Sequence, residues 1–346
     1  MIRQAIRVVF FGTPEYAVPT LVALSEHPWF SVTLVVTQPD RPAGRGHRPQ
    51  PSPVKVEALR RGLPVYQPAT LKRASDREPL IAADADVFFV AAFGLIFGKR
   101  TLALPRFGSL NLHASLLPKY RGASPVAAAI LAGDQETGVS LMLMDEGLDT
   151  GPIIATAGVS IDPADTTESL TGKLAEAGAR LAVEAIPRFV TGELPAIPQP
   201  ESGASRARPL TKADGWLRWE RPASELERQV RAMWPWPRAW TTVAGEPLQI
   251  HRATVLEHGS HLPGRLTVTK REVWVACGYG ALRLDIVQPA GAKPMPGPAW
   301  ATGRRLESGI IVGQEGDPGP VPPVVVPVTV DREMPDSSGE EGGAAL

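Results

Sequence analysis

Asn111, His113 and Ser115 occupy alternate positions in the run N-L-H-A-S-L-L-P-K-Y-R-G. In an extended strand, alternate residues share a face. An amide, an imidazole and a hydroxyl would then project together. An amide donates to a developing oxyanion without changing its own charge. An imidazole titrates near neutrality and can move a proton. A carboxylate would complete the set, and Asp149 in D-E-G-L-D-T-G, after the apolar run V-S-L-M-L-M, is the best candidate. Gly147 and Gly151 flank it, which suits a backbone packed tightly against a ligand. Together these groups suit attack of a neutral amine on an activated acyl group, which needs an oxyanion donor and a proton acceptor. Each residue also has a plain structural reading. A strand histidine can be a satisfied core residue, Asn111 can bond a neighbouring backbone group, and Asp149 can be a turn residue. Spacing alone leaves both readings open.

The elements that must position these residues follow from the hydrophobic pattern. Residues 6–11 (I-R-V-V-F-F) read as a buried strand ended by Gly12. A helical spacing over 18–25 and a second strand over 31–37 complete a βαβ unit, which implies a parallel sheet. Further alternation predicts helices near 54–62, 77–83, 124–132 and 167–189. It predicts strands near 63–66, 87–92, 108–114, 139–144 and 153–160. The expected architecture is a doubly wound, Rossmann-like α/β domain over residues 1–190. Ligands of such sheets bind beyond the carboxyl ends of the strands, where Asn111 to Ser115 fall. The first loop, F-G-T-P-E, lacks the G-x-G-x-x-G spacing that cradles a pyrophosphate, which argues against a nicotinamide dehydrogenase. Residues 191–207, rich in Pro, Gly, Ser and Ala, read as a linker. Beyond a helix near 223–233, short strands at near-regular spacing over 208–311 suggest a small, OB-like β-barrel.

Composition narrows the classes further. The chain has 346 residues, 43% of them hydrophobic and 21% charged, with zero formal net charge. The balance is uneven. Residues 208–311 hold 15 Lys and Arg against 9 Asp and Glu, and residues 312–346 hold 1 against 7. A basic region before an acidic tail is consistent with a polyanionic partner and equally with solubility. A single cysteine, Cys277, allows no disulfide within the chain and no thiolate metal cluster. The histidines lack metal-ligand spacing, so no metal is expected. His258 and His261 read as solvated. No stretch of ~18 apolar residues and no signal peptide are evident, so a cytoplasmic protein without a membrane span is expected. Residues 312–346 read as a disordered acidic tail. The patch V-V-V-P-V-T-V inside it would suit a docked strand, but its Pro-, Gly- and acid-rich surroundings weigh against one.

The runs N-L-H-A-S-L-L-P-K-Y-R-G-A-S-P and D-E-G-L-D-T-G resemble the tetrahydrofolate-dependent formyltransferase family. F-F-G-T-P-E-Y-A, T-Q-P-D-R-P-A-G-R-G, P-S-P-V-K, F-G-L-I, L-A-G-D-Q-E-T-G-V and W-P-W-P resemble its methionyl-tRNA branch, in order, over residues 1–305. The resemblance implies that 10-formyltetrahydrofolate gives its formyl group to the amino group of methionine on initiator tRNA. It implies Asn111 as oxyanion donor, His113 as catalytic imidazole and Asp149 as carboxylate partner. It implies that Ser115, Leu116, Leu117 and Pro118 help bind the folate, and that Phe93, Leu95 and Ile96 line the pterin pocket with backbone hydrogen bonds. The loop over 41–55 carries Arg41, Arg45, His47, Arg48 and Lys55 among four prolines and two glycines. It reads as irregular and cationic, suited to clamp phosphate, and the resemblance assigns it to the tRNA acceptor end. The W-P-W-P tryptophans could stack bases but are read as packing residues. A monomer is expected. Two rivals are a formyltransferase for a small amine, such as glycinamide ribonucleotide or a nucleotide sugar, and a non-catalytic tRNA-binding module. The first would not need the basic loop or the barrel. The second would tolerate loss of Asn111, His113 or Asp149.

Overall fold

The computed structural model describes residues 4–43, 48–257 and 262–328. The N-terminal half is built on a seven-stranded sheet whose spatial order is Ile153–Ser160, Glu136–Leu143, Ser109–His113, Val87–Ala91, Ile6–Gly12, Phe30–Val36, Val65–Tyr66. The last five run parallel. Their centre is apolar on both faces, as covered parallel strands require. Val8, Val9, Phe10 and Phe11 are all fully buried, as are Val87 and Phe89. The helix Thr167–Val190 packs its Leu170, Leu174, Ala182 and Ile186 stripe against one face. Thr166 caps it through its hydroxyl, which accepts from the Ser169 amide.

Two edge strands depart from the expected all-parallel pattern. Glu136–Leu143 runs antiparallel to Ser109–His113, and Ile153–Ser160 runs antiparallel to Glu136–Leu143. For Ile153–Ser160 the reason is the connection from Glu136–Leu143. Only residues 144–152 join the last two strands, too few for a helical crossover, so they form a hairpin. That hairpin loop carries Asp149.

The C-terminal half is an antiparallel half-barrel ordered Ala239–Val243, Glu246–Leu256, Ala281–Pro289, Val273–Ala276, Leu266–Val268. Register shifts near Arg252 bend its longest pair. The helices Ala223–Ala232 and Gly297–Gly303 close it over Leu226, Val230, Leu282, Leu284 and Trp300.

Two segments are more ordered than their composition suggests. The expected linker 191–207 is packed against the N-terminal half. Ile197 exchanges two backbone hydrogen bonds with Ile153, both 2.8 Å. Ser205–Ala207 forms a strand parallel to Arg121–Gly122. The expected disordered tail is corrected over residues 312–328, where Val325–Pro327 pairs antiparallel with Ser205–Ala207. The β-branched run outweighs its flanking prolines because an open sheet edge is at hand to satisfy its backbone. Residues 329–346 lie outside the described residues.

Candidate active site

The strand Ser109–His113 ends at the carboxyl edge of the sheet, beside a cleft of about 1000 Å³. Asn111, His113 and Asp149 meet on its wall. Asn111 Nδ2 donates to Asp149 Oδ1 at 3.4 Å. His113 Nδ1 lies 3.6 Å from Asp149 Oδ2. The same Oδ2 accepts the Gly122 amide at 2.8 Å. On the other side of the imidazole, Nε2 is 2.9 Å from the Tyr120 carbonyl. A carbonyl only accepts, so Nε2 carries the proton. In the neutral ring the lone pair is then on Nδ1, facing the Asp149 carboxylate. The two groups face each other a little farther apart than a hydrogen bond.

The supports of this trio are long-range contacts. Asp149 adopts a left-handed backbone conformation, with φ at 54°, which Asp tolerates better than most residues. Gln199 holds it there, donating from Nε2 to the carbonyls of Asp149 and Gly151, each at 2.8 Å. Gln199 Oε1 in turn accepts from buried Arg121 at 2.8 and 3.0 Å. Tyr120, Arg121 and Gly122 are fixed by the neighbouring strand: Ser205 Oγ accepts the Tyr120 amide at 2.9 Å, and Ala207 O accepts the Ala123 amide at 2.9 Å. Sequence reasoning missed Tyr120, which acts through its carbonyl and so has no side-chain signature. It missed Gln199 because its surroundings read as linker. Gly147 and Gly151 do pack tightly, but against the chain itself. A Cβ on Gly151 would lie 1.8 Å from the Leu143 carbonyl, and one on Gly147 would lie 2.0 Å from Thr150 Oγ1.

The other expected contacts divide. Phe93 and Leu95 line the cleft. The Phe93 carbonyl already accepts from Gln38 Nε2 at 2.8 Å and Thr13 Oγ1 at 3.2 Å, which fills its two lone pairs. Ile96 does not line the cleft and is 88% exposed. Ser115, Leu116, Leu117 and Pro118 are not among the residues that line the cleft, and several of their polar groups bond within the protein. Ser115 Oγ donates to Lys119 O at 2.5 Å. Ser140 Oγ donates to Ser115 O at 2.8 Å and accepts the Leu117 amide at 3.0 Å. Alternation thus brings Asn111 and His113 together and leaves Ser115 out.

In the basic loop, Arg41–Ala43 pairs with Arg48–Gln50 as a short antiparallel ribbon, correcting the irregular reading there. Arg45 and His47 lie outside the described residues. Lys55 is not a free cation. It sits in the first turn of the helix Pro53–Arg60, and its Nζ pairs with Asp40 at 2.7 Å. Arg41 is exposed. The tryptophans of W-P-W-P behave differently from each other. Trp234 donates to Glu168 at 3.0 Å and its ring lies tilted against His251, whereas Trp236 is 58% exposed.

Comparison with known proteins gives a consistent answer. Residues 6–186 match the formyl transferase family model and residues 209–305 match the model of the formyl transferase C-terminal domain. The chain is 48% identical over 292 residues to the methionyl-tRNA formyltransferase of Methylococcus capsulatus, covering 84% of this chain and 94% of that one. It is 47% identical over 303 residues to the methionyl-tRNA formyltransferase of Stenotrophomonas maltophilia, covering 86% and 98%. Among solved structures, the sugar 3N-formyl transferase WlaRD, determined in the presence of dTDP and 5-N-formyl-THF, superimposes with a TM-score of 0.61 at 18% identity. The match covers 84% of this chain and all of that one, and so shares its fold. With both domain models matched in order and close to half of the residues identical to these relatives, the chain belongs to the formyl transferase family.

Proposed function

We propose that the protein transfers the formyl group of 10-formyltetrahydrofolate to the amino group of methionine on initiator methionyl-tRNA, the step that marks this tRNA for translation initiation. The observation that carries the reading is the meeting of an amide, an imidazole and a carboxylate at one point of a cleft large enough for a folate and an aminoacyl end. The pterin lies against Phe93 and Leu95. Its backbone hydrogen bonds come from loop groups other than the occupied Phe93 carbonyl. Ile96 covers the outer rim, and Ser115, Leu116, Leu117 and Pro118 shape the wall from behind.

The methionyl amine attacks the formyl carbon. Negative charge grows on the formyl oxygen, and Asn111 Nδ2 turns from its long contact with Asp149 to donate to it. The attacking nitrogen becomes acidic as its bond forms. His113 Nδ1 and Asp149 Oδ2 take its proton between them, while Nε2 stays anchored on the Tyr120 carbonyl. Collapse returns the electron pair to the carbonyl and expels the folate nitrogen, which is reprotonated from the same pair. To this exchange of one C–N bond for another, the side chains contribute proton transfer and electrostatic stabilisation. Arg41, Arg45, His47 and Arg48 hold acceptor-end phosphates, with Lys55 bracing the loop through Asp40. The basic C-terminal half, read as an OB-like surface, carries the body of the tRNA. The protein acts as a monomer.

The test is formyl transfer from 10-formyltetrahydrofolate with initiator methionyl-tRNA, free methionine and glycinamide ribonucleotide run in parallel. Product is expected with the charged tRNA alone. Transfer only to a small amine overturns the acceptor assignment.

A further inference from the structure

Beyond residue 305, where the family match ends, the chain runs along both domains. The Val312 amide donates to Gly264 O at 2.9 Å, and Gly313 to Thr242 O at 2.8 Å. Asp317 pairs with Arg218 at 2.9 Å. The chain then crosses to the N-terminal half. The Arg208 amide donates to Val324 O at 3.0 Å and the Val328 amide to Ala204 O at 2.9 Å, bracketing the strand Val325–Pro327. Val325 packs on the small cluster of Tyr120, Ala128, Ala129 and Ala207. Residues 321–325 roof a cavity of about 490 Å³ whose floor includes Leu131, Trp216 and Met233. Val326 stands opposite Arg206 in the register, is 47% exposed and lines the catalytic cleft.

We propose that residues 312–328 form an added wall on the acceptor side of the active site, and that Val326 contacts the aminoacyl end of the acceptor. The side follows from topology. Phe93 comes after the strand Val87–Ala91, and Asp149 after Glu136–Leu143, the two opposite neighbours of Ser109–His113. The appended strand reaches the site through Ser205–Ala207 and Arg121–Gly122, and Gly122 bonds Asp149. It therefore flanks the carboxylate that receives the amine's proton, away from Phe93. Pairing at both ends and an apolar anchor make it a fixed wall. The apolar Val326 suits an uncharged side chain such as the methionyl thioether; it offers phosphate nothing.

This inference rests on the proposed acceptor, and its test separates the two. Steady-state transfer to initiator methionyl-tRNA is compared in the full chain, a chain ending at Val328, a chain ending at Ile311, and full-length Val326→Asp. Tetrahydrofolate binding is followed by tryptophan fluorescence. The chain ending at Val328 should match the full chain. The chain ending at Ile311 and Val326→Asp should raise the acceptor KM about five- to tenfold, the effect of losing or spoiling one central apolar contact. Folate affinity should stay within about twofold and kcat should hold, because the reacting groups are untouched. An unchanged acceptor KM in either variant overturns the wall while the proposed function stands. A lowered KM also overturns it, since the segment would then obstruct. If the full chain transfers nothing to charged tRNA, the function fails and the wall with it.

Discussion

Replacing Gln199 tests whether the trio of Asn111, His113 and Asp149 depends on a residue outside it. Its side chain makes four hydrogen bonds: two from Arg121 at 2.8 and 3.0 Å, and two to the carbonyls of Asp149 and Gly151 at 2.8 Å. Gln199→Leu removes all four. At ~1 kcal/mol net each, with an extra term for the guanidinium left unpaired, the loss in stability is about 3–5 kcal/mol. Asp149 loses the contact that holds its left-handed backbone, so its carboxylate shifts relative to His113. A misplacement of ~1 Å at reacting groups costs about 100-fold in rate, and the expected fall in kcat is about 10- to 100-fold. Gln199→Glu separates the two effects. It keeps an acceptor for Arg121 but sets a carboxylate oxygen against two carbonyls. It should lower kcat as Gln199→Leu does while losing less stability. The assay is single-turnover formyl transfer at saturating donor and acceptor, with thermal unfolding measured on the same samples. A kcat within about threefold of the parent in both variants, with stability lowered as expected, would refute the relay and leave Gln199 a structural residue.

Three other outcomes follow from the same geometry. Gly122→Ala places a Cβ 2.7 Å from the Ala207 carbonyl at a φ of +108°, so stability should fall by about 1–3 kcal/mol and kcat should fall as the Gly122 amide leaves Asp149; an unchanged kcat in a folded variant contradicts this. Burial alone would raise the Asp214 carboxyl, but Arg208 and Thr211 hold it below its ordinary 3.8. Its contribution is therefore complete above the unfolded value and lost as pH falls through the lower folded value; Asp214→Asn should flatten the acid limb of urea-unfolding midpoints between about pH 5 and pH 2, and an unaltered limb would refute it. Arg45→Ala should weaken charged-tRNA binding and reduce the salt slope by about 1, with donor binding kept; an unchanged slope removes Arg45 from the phosphate contacts.

The parallel core was legible because covered strands are continuous apolar runs and helices carry their own spacing. Period-two alternation placed Asn111 and His113 on one face. It failed at Ser115 because the strand ends at His113 and the chain turns. The direction of Glu136–Leu143 was not legible, since the connection before it holds the helix Pro125–Ala132 and is long enough for either direction. Asp149 was found by its setting between glycines, although those glycines serve backbone packing. Gln199 sits in P-Q-P-E-S-G, and nothing local marks a side chain whose partners lie 48 to 78 positions away. The V-V-V-P-V signal in the tail was present in the sequence. Its flanks outvoted it because the edge of Ser205–Ala207 that receives it exists only in the folded chain.

The central claim is that Asn111, His113 and Asp149 act as one unit. Single-turnover transfer to initiator methionyl-tRNA by Asn111→Ala, His113→Ala, Asp149→Ala and the triple variant tests it directly. The account predicts that each single change costs about 100-fold or more and that the triple variant is little worse than the worst single one, because each loss disables the same step. Losses that multiply across the three positions would mean independent contributions and would contradict the shared site.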